Sequence, residues 1–150
     1  MAITNVVSAT YISDLVNYLK EYIIDNVADP IANKRNSNEK FVLTEYPRRA
    51  VTYPVITVVD RNTKQEQRLG MGSEGTVLRV TIEIRIWAKN VVQRDTLFCQ
   101  VHDFLRTHQD DSNGLNDVNL HDFKLTSVIN IGEENTKSKV MELSFLFICN

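Results

Sequence analysis

The chain has 150 residues and a formal net charge of −2, and 43% of its residues are hydrophobic and 24% are charged. This composition excludes intrinsic disorder, which combines few apolar residues with a high net charge. Five glycines and three prolines exclude collagen-like and low-complexity chains. The lack of a basic excess argues against a dedicated nucleic-acid-binding protein. A single domain over residues 1–150 is expected at this length.

The sequence shows no targeting or membrane-spanning segment. No run approaches the ~18 consecutive apolar residues that a membrane span requires. The first residues, Met1 to Asn5, have neither the charged nor the apolar region of a secretory signal. The two cysteines, Cys99 and Cys149, are not in a Cys-x-x-Cys pair, so no disulfide framework is predicted and a reducing compartment is expected.

Two segments have the apolar spacing of amphipathic helices. Residues 10–28 repeat apolar side chains at i, i+3, i+4 and i+7, and Asp29-Pro30 marks the end of this helix. Residues 91–108 form the second helix, with Asn90 as its predicted N-cap. The apolar stripes consist of Ile12, Leu15, Val16, Leu19, Tyr22 and Ile23 in the first helix, and of Leu97, Phe98, Val101, Phe104 and Leu105 in the second.

Five segments have the composition of β-strands. The short segments 41–46 and 55–60 are rich in β-branched and aromatic residues, and 122–131 pairs with 139–149 as a hairpin. The clearest strand is 76–87, where Leu78, Val80, Ile82, Ile84 and Ile86 alternate with Arg79, Thr81, Glu83, Arg85 and Trp87. The residues from Asp60 to Gly75 are interpreted as a long polar connection.

These elements predict an α+β fold, with a mixed, mainly antiparallel sheet of about 4–5 strands and two helices packed on one face. The last strand is apolar on both sides, with Met141, Leu143, Phe145 and Phe147 on one face and Val140, Leu146 and Ile148 on the other. A strand that is apolar on both faces is normally covered on both. The second face is expected to be covered by a neighbouring subunit or, as the alternative, by the chain's own long loops.

The segment Gly70-Met71-Gly72-Ser73-Glu74-Gly75 fits the G-x-G-x-x-G pattern of phosphate-binding loops. Dinucleotide binding requires a helix directly after the glycines, whereas a strand is predicted there. The glycine-rich loop of protein kinases is followed by a strand, but the other kinase motifs are missing from this sequence. A flexible loop is the preferred interpretation, and a small cytoplasmic nucleotide- or ligand-binding domain is the alternative.

Cys99 and His102 lie three residues apart on the second predicted helix, a spacing that can place two ligands on one metal ion. A catalytic zinc needs three protein ligands and a structural zinc needs four, so His108, His121 or Cys149 would have to converge on this pair. A thiol hydrolase would need a third, orienting group, which the sequence does not identify. No catalytic, metal or cofactor residue is therefore predicted, and no enzymatic activity is expected.

Arg79, Arg85 and Trp87 share the polar face of the long strand. Basic and aromatic side chains on a sheet can bind nucleic acid, but Glu83 interrupts this set. Arginine and tryptophan are also enriched in protein–protein contacts, which is the preferred interpretation.

The charges are unevenly distributed along the chain. Residues 33–49 hold five basic and two acidic residues, and residues 110–134 hold six acidic and one basic residue. These are either ordinary solvated regions or two halves of a head-to-tail contact between copies, of the kind that can close a ring. On the second hypothesis, the basic segment of one copy, which includes Arg48 and Arg49, meets the acidic segment of the next, which includes Asp110 and Asp111.

The order of elements resembles the tail terminator and head–tail joining proteins of tailed bacteriophages and related viruses. The resemblance extends over residues 10–149. It lies in the order and spacing of the elements, and no single motif is diagnostic of the family. It consists of the helix Tyr11–Ala28, the segment Phe41-Val42-Leu43-Thr44-Glu45-Tyr46-Pro47, the strand Tyr53-Pro54-Val55-Ile56-Thr57-Val58, the long strand from Leu78 to Lys89, the helix Arg94–Leu105 and a closing hairpin.

The resemblance implies a structural virion protein, assembled in the host cytoplasm, that forms a homo-oligomeric ring, commonly a hexamer. Such a ring caps the tail tube and contacts the head–tail connector, and DNA passes through its channel without sequence-specific binding. A head-completion or stopper protein of the same neck is the nearest alternative. The expected interface residues are Arg79, Arg85 and Trp87 together with segments 33–49 and 61–75, the latter including Arg68.

The head-to-tail hypothesis predicts that the double substitution Arg48→Glu and Arg49→Glu weakens assembly, because it reverses the charge of the basic segment. The loss is expected to be larger at low salt, where surface charges are less screened. Light scattering at two salt concentrations measures it, and unchanged assembly at low salt contradicts the hypothesis.

Overall fold

The computed structural model describes residues 11–35, 40–46, 52–69, 75–107, 115, 120–132 and 136–149, with the backbone alone at 11–13, 63–69, 75–77, 122 and 148–149. The elements in chain order are α1 (Tyr11–Asn26), a 3-10 turn (Ala32–Lys34), β1 (Val42–Leu43), β2 (Val55–Leu69), β3 (Gly75–Ala88), α2 (Val91–Thr107), β4 (Leu120–Gly132) and β5 (Lys137–Cys149).

The strands form one sheet in the order β1-β2-β3-β5-β4. β1 is parallel to β2, and every other neighbouring pair is antiparallel. Both helices pack on the same face, α1 against β1 and β2, and α2 against β3 and β5. The predicted α+β class, with a mixed and mainly antiparallel sheet and two helices on one face, is confirmed.

The centre of the core is the apolar face of β3, where Val80, Ile82, Ile84 and Ile86 are fully buried. β5 contributes its own row of buried residues beside it, namely Met141, Leu143, Phe145 and Phe147. The helices add Leu15, Leu19 and Ile23 from α1 and Leu97, Val101 and Leu105 from α2 to the same core. Tyr18, which lies outside the predicted stripe of α1, is also buried and stacks on Tyr22 with 5.4 Å between ring centroids.

Local contacts fix the start of α2 and its position on the sheet. The side-chain oxygen of Asn90 accepts a hydrogen bond from the Gln93 amide at 2.8 Å, which confirms the predicted N-cap. The Asp95 carboxylate lies 2.9 Å from Arg94 Nε and 3.0 Å from Lys139 Nζ on β5. The hydrogen bonds from Arg94 and Lys139 hold the pKa of Asp95 below its usual value.

Two predicted boundaries were wrong. The polar segment after Asp60 is not a connection, because residues 61–69 continue β2 and pair with β3 as far as Gly75. Its side chains lack the alternation of a half-buried strand, so backbone pairing with β3 decides its conformation. The predicted strand 41–46 contains only the two residues of β1, whose pairing with β2 ends at Leu43↔Thr57.

Phe145→Ala is expected to lower the free energy of unfolding by about 3–5 kcal/mol, because it removes a fully buried aromatic ring from the centre of the core. Val92→Ala is the control, since Val92 is 77% exposed on α2 and its truncation is expected to change stability by less than about 0.5 kcal/mol. Urea titration measures both variants, and equal effects would contradict this description of the core.

Candidate interaction surface

The face of the sheet opposite the helices, here called the outer face, carries the polar side of β3. Directly opposed residues of antiparallel strands point to the same face, so the outer face combines alternate residues of β2, β3, β5 and β4. Three of the residues predicted for an interface, Arg79, Arg85 and Trp87, lie there and are half-buried.

Arg85, Trp87 and Tyr46 form a stacked group on this face. The guanidinium of Arg85 lies 3.8 Å from the centroid of the Trp87 ring and 5.8 Å from that of Tyr46. Trp87 Nε1 donates to Thr57 Oγ1 at 3.1 Å, which fixes the indole against β2. The Nε atom of Arg85 is buried without a hydrogen-bond partner in the described part of the chain. Stacking on Trp87 and a hydrogen bond from Arg85 Nη2 to Ser138 Oγ at 3.0 Å hold the Arg85 side chain in place.

A carboxylate network adjoins the stacked group. Glu83 is only 3% exposed and accepts a hydrogen bond from the Tyr46 hydroxyl. Arg61 is the extra residue of a β-bulge between Asp60 and Asn62, and it lies 4.0 Å from Glu83 and 3.9 Å from Glu142. Burial, the hydrogen bond to Glu83 and the charge of Glu83 together raise the pKa of Tyr46. Tyr46 thereby joins the segment that follows β1 to the outer face.

Arg35 holds the connection between α1 and β1 in place. Its side chain donates to both oxygens of Asp29, at 2.7 and 3.0 Å, and to the carbonyl oxygens of Thr52 and Pro54. Burial opposes ionisation of Asp29, but the hydrogen bonds from Arg35 and the Ile31 amide outweigh it, so the pKa of Asp29 is lowered. Lys34 and Lys40, in the same basic segment, are exposed.

The second face of β5 is covered in part by the chain itself. Arg79 donates to Ser144 Oγ at 2.8 Å, and Arg85 donates to Ser138 Oγ at 3.0 Å. Ser138, Val140 and Ser144 are accordingly buried, whereas Leu146 is half-buried. In the described part of the chain this coverage comes from the arginines of β3, whereas most residues of the long loops of the alternative prediction lie outside the described residues.

An apolar patch lies on β4, at the edge of the sheet. It consists of Leu125, Val128 and Ile129, which are 37%, 41% and 52% exposed. Leu125 and Val128 are opposed to the core residues Leu143 and Met141 and so face the helix side, while Ile129 is opposed to Val140 on the outer face. We call these three residues the β4 edge patch. The sequence prediction missed it, although the adjacent apolar pair Val128-Ile129 places side chains on both faces of any strand.

The remaining predicted interface residues are placed as follows. Arg68 lies in β2, in register with Thr76 of β3. Arg48, Arg49, Asp110 and Asp111 lie outside the described residues, as does most of the segment 70–75. Gly75 begins β3, so a strand follows the glycine-rich segment as predicted.

Cys99 and His102 occupy different surroundings on α2. Cys99 is exposed and borders an open depression of about 590 Å³, together with Val92, Asp95 and Asp103. The His102 ring lies between Phe98 and Phe123, at centroid distances of 5.8 and 6.3 Å. Among the described residues, no group of three or more His, Cys, Asp and Glu side chains could hold a metal ion.

None of the helices described is long and apolar enough to cross a membrane.

Tyr46→Phe is expected to lower the free energy of unfolding at pH 7 by about 2 kcal/mol, because buried Glu83 loses a hydrogen-bond donor. The pKa of Tyr46 is raised in the folded state, so this contribution is complete below the ordinary tyrosine pKa of 10.0 and is lost as the pH rises through the folded value. The difference from the wild type should therefore shrink above pH 10.

Urea titrations at neutral and alkaline pH measure this difference. Tyr53→Phe is the control, because its hydroxyl makes no hydrogen bond with any residue that the structure describes. A difference between wild type and Tyr46→Phe that does not change with pH would contradict the role of this bond.

No protein-family model matches the sequence, and a search of the curated proteins finds no match.

Proposed function

We propose that this chain is a structural virion protein, a ring-forming tail terminator that caps the tail tube and joins it to the head connector. The resemblance in element order, from the first helix through the long strand to the closing hairpin, suggests this assignment. The two helices on one face of a mixed sheet agree with the fold that the resemblance implies. The proposal places the protein in the virion neck after assembly in the host cytoplasm.

The observation that carries the proposal is the β4 edge patch. Leu125, Val128 and Ile129 are large apolar residues that are substantially exposed on neighbouring positions of one edge strand. In the described part of the chain, β4 has a strand partner on one side only. Exposed apolar clusters and unpaired strand edges both favour association with another chain, and a ring of identical copies would cover them.

The distribution of charge along the sequence favours a head-to-tail contact. Segment 33–49 has a basic excess and segment 110–134 has an acidic excess. A contact between these two segments of neighbouring copies would bring unlike charges together. Heterologous contacts of this kind close into rings when the rotation between copies permits.

The function proposed for this ring is binding without catalysis. Its flat surfaces would contact the tail tube protein on one side and the connector on the other through complementary shape and charge. On the outer face, Arg79, Arg85 and Trp87 are held by contacts within the chain, so they would present a fixed surface to a partner. DNA would pass through the axial channel without sequence-specific contacts.

Ile129→Lys is expected to weaken self-association at least tenfold, or by about 1.4 kcal/mol, because it places a charge within the β4 edge patch. Val92→Lys is the matched control, since it makes the same change at a more exposed residue on α2. Both variants should remain folded by circular dichroism. Light scattering measures the assembly, and equal behaviour of the two variants would contradict the role of the patch.

Electron microscopy of the assembled protein and of labelled virions tests the proposed function directly. Closed rings in solution, together with one ring per virion at the head-proximal end of the tail tube, are the expected result. A ring attached to heads that lack tails would identify the stopper protein instead. A protein that stays monomeric at all concentrations, or is missing from virions, would refute the proposal.

A further inference from the structure

The sheet has a second open edge besides β4. β1 pairs with β2 only at Ile56 and Thr57, although β2 continues to Leu69. From Val58 onwards, β2 therefore has a strand neighbour on one side only, as far as the described residues show. In the described part of the chain each copy thus has two unpaired strand edges, one at each end of its sheet, and unpaired edges readily accept another strand.

We propose that β4 of one copy adds as an antiparallel strand to the open edge of β2 in the next copy. This inference rests on the proposed assembly into a ring and names the surfaces that join its subunits. β3 runs opposite to β2, β5 opposite to β3, and β4 opposite to β5. β4 therefore runs opposite to β2, so a neighbouring copy in the same orientation meets β4 with antiparallel polarity. This pairing is the more stable of the two kinds and leaves one face open to solvent.

The part of β4 suited to this contact is its second half. Bulges interrupt the pairing of β4 with β5 between His121 and Lys124 and between Leu125 and Ser127, and bulges at an edge discourage strand addition. From Ser127 to Gly132 the pairing is regular. This regular stretch contains Val128 and Ile129, which lie on opposite faces of the strand. Strand addition would cover both side chains at once.

The partner of β4 is inferred to be the β2 edge and not a second β4. A contact between two β4 strands related by a twofold axis would join only two copies, and in the described part of the chain it would leave the β2 edge of each copy unpaired. A β4–β2 contact uses both edges of every copy, and head-to-tail contacts of this kind can close into a ring.

Cross-linking through introduced cysteines tests the pairing. Asn62 in β2 and Ile129 in β4 are both exposed, and their register partners Thr81 and Val140 place both on the outer face. In a Cys99→Ser background, which removes the exposed thiol, we compare Asn62→Cys, Ile129→Cys and the double variant. Within one copy, β2 and β4 are three strand spacings apart, or roughly 14 Å. The reagent is a bismaleimide shorter than this distance, so that it joins cysteines of neighbouring copies and not of the same copy.

The double variant is expected to give a ladder of covalent oligomers on a denaturing gel, ending at the size of the closed ring. Each single variant should remain monomeric on the same gel. A further double variant, Asn62→Cys with Val92→Cys, controls for chance collisions, because Val92 is highly exposed and belongs to α2 and not to a strand edge. The Cys99→Ser protein retains Cys149 as its one cysteine, so it measures any cross-linking that occurs through Cys149 alone.

Three outcomes overturn the inference. Covalent dimers of Ile129→Cys alone would show twofold pairing of β4 strands. A ladder from the Val92→Cys control equal to that of the test variant would show that the cross-links do not report pairing. A ring that is intact by light scattering and yet gives no ladder would overturn the β4–β2 contact while leaving the proposed function in place. Failure of the proposed function would instead appear as the absence of any ring.

Discussion

Burial of the apolar face of β3 is the interaction on which the other parts of the structure depend. Val80, Ile82, Ile84 and Ile86 are fully buried in the middle strand of the five, and both helices pack on the same face as these residues. A side-chain period of two then directs the intervening residues to the outer face. The arginines and the tryptophan of that face are consequently positioned by the packing of the core, although they take no part in it.

On the outer face, the polar side chains that the structure describes are held by contacts with one another. Tyr46 and Arg61 approach Glu83 from two different parts of the chain, and Arg85 stacks on Trp87 while it donates to Ser138. Buried polar groups cost free energy unless they are paired, so these contacts depend on one another. The same arginines bond to Ser138 and Ser144 of β5, whereas Ile129 of β4 is exposed on this face.

The edges of the sheet connect the fold to the proposed assembly. β1 is too short to cover β2, and β4 has no second neighbour in the described part of the chain. Isolated proteins usually protect such edges with charges, proline or bulges. Here bulges occupy the first half of β4, whereas its second half is regular and carries two exposed apolar residues. The proposed ring of copies would provide a physical reason for that difference.

Several features were determined by the sequence alone. The period of two in 76–87, the helical stripes and the Asn90 cap are local patterns, and a local pattern is sufficient to specify a strand, a helix and its first turn. The fold class followed from them, because elements with one apolar face have few ways of packing together.

Other features were decided only by the tertiary structure. The polar residues 61–69 form a strand because β3 supplies backbone partners, and no side-chain period records that. The role of Tyr46, the bulge at Arg61 and the exposure of Ile129 depend on which strands are neighbours. Strand order joins residues far apart in the chain, and spacing along the sequence carries little information about such long-range pairing.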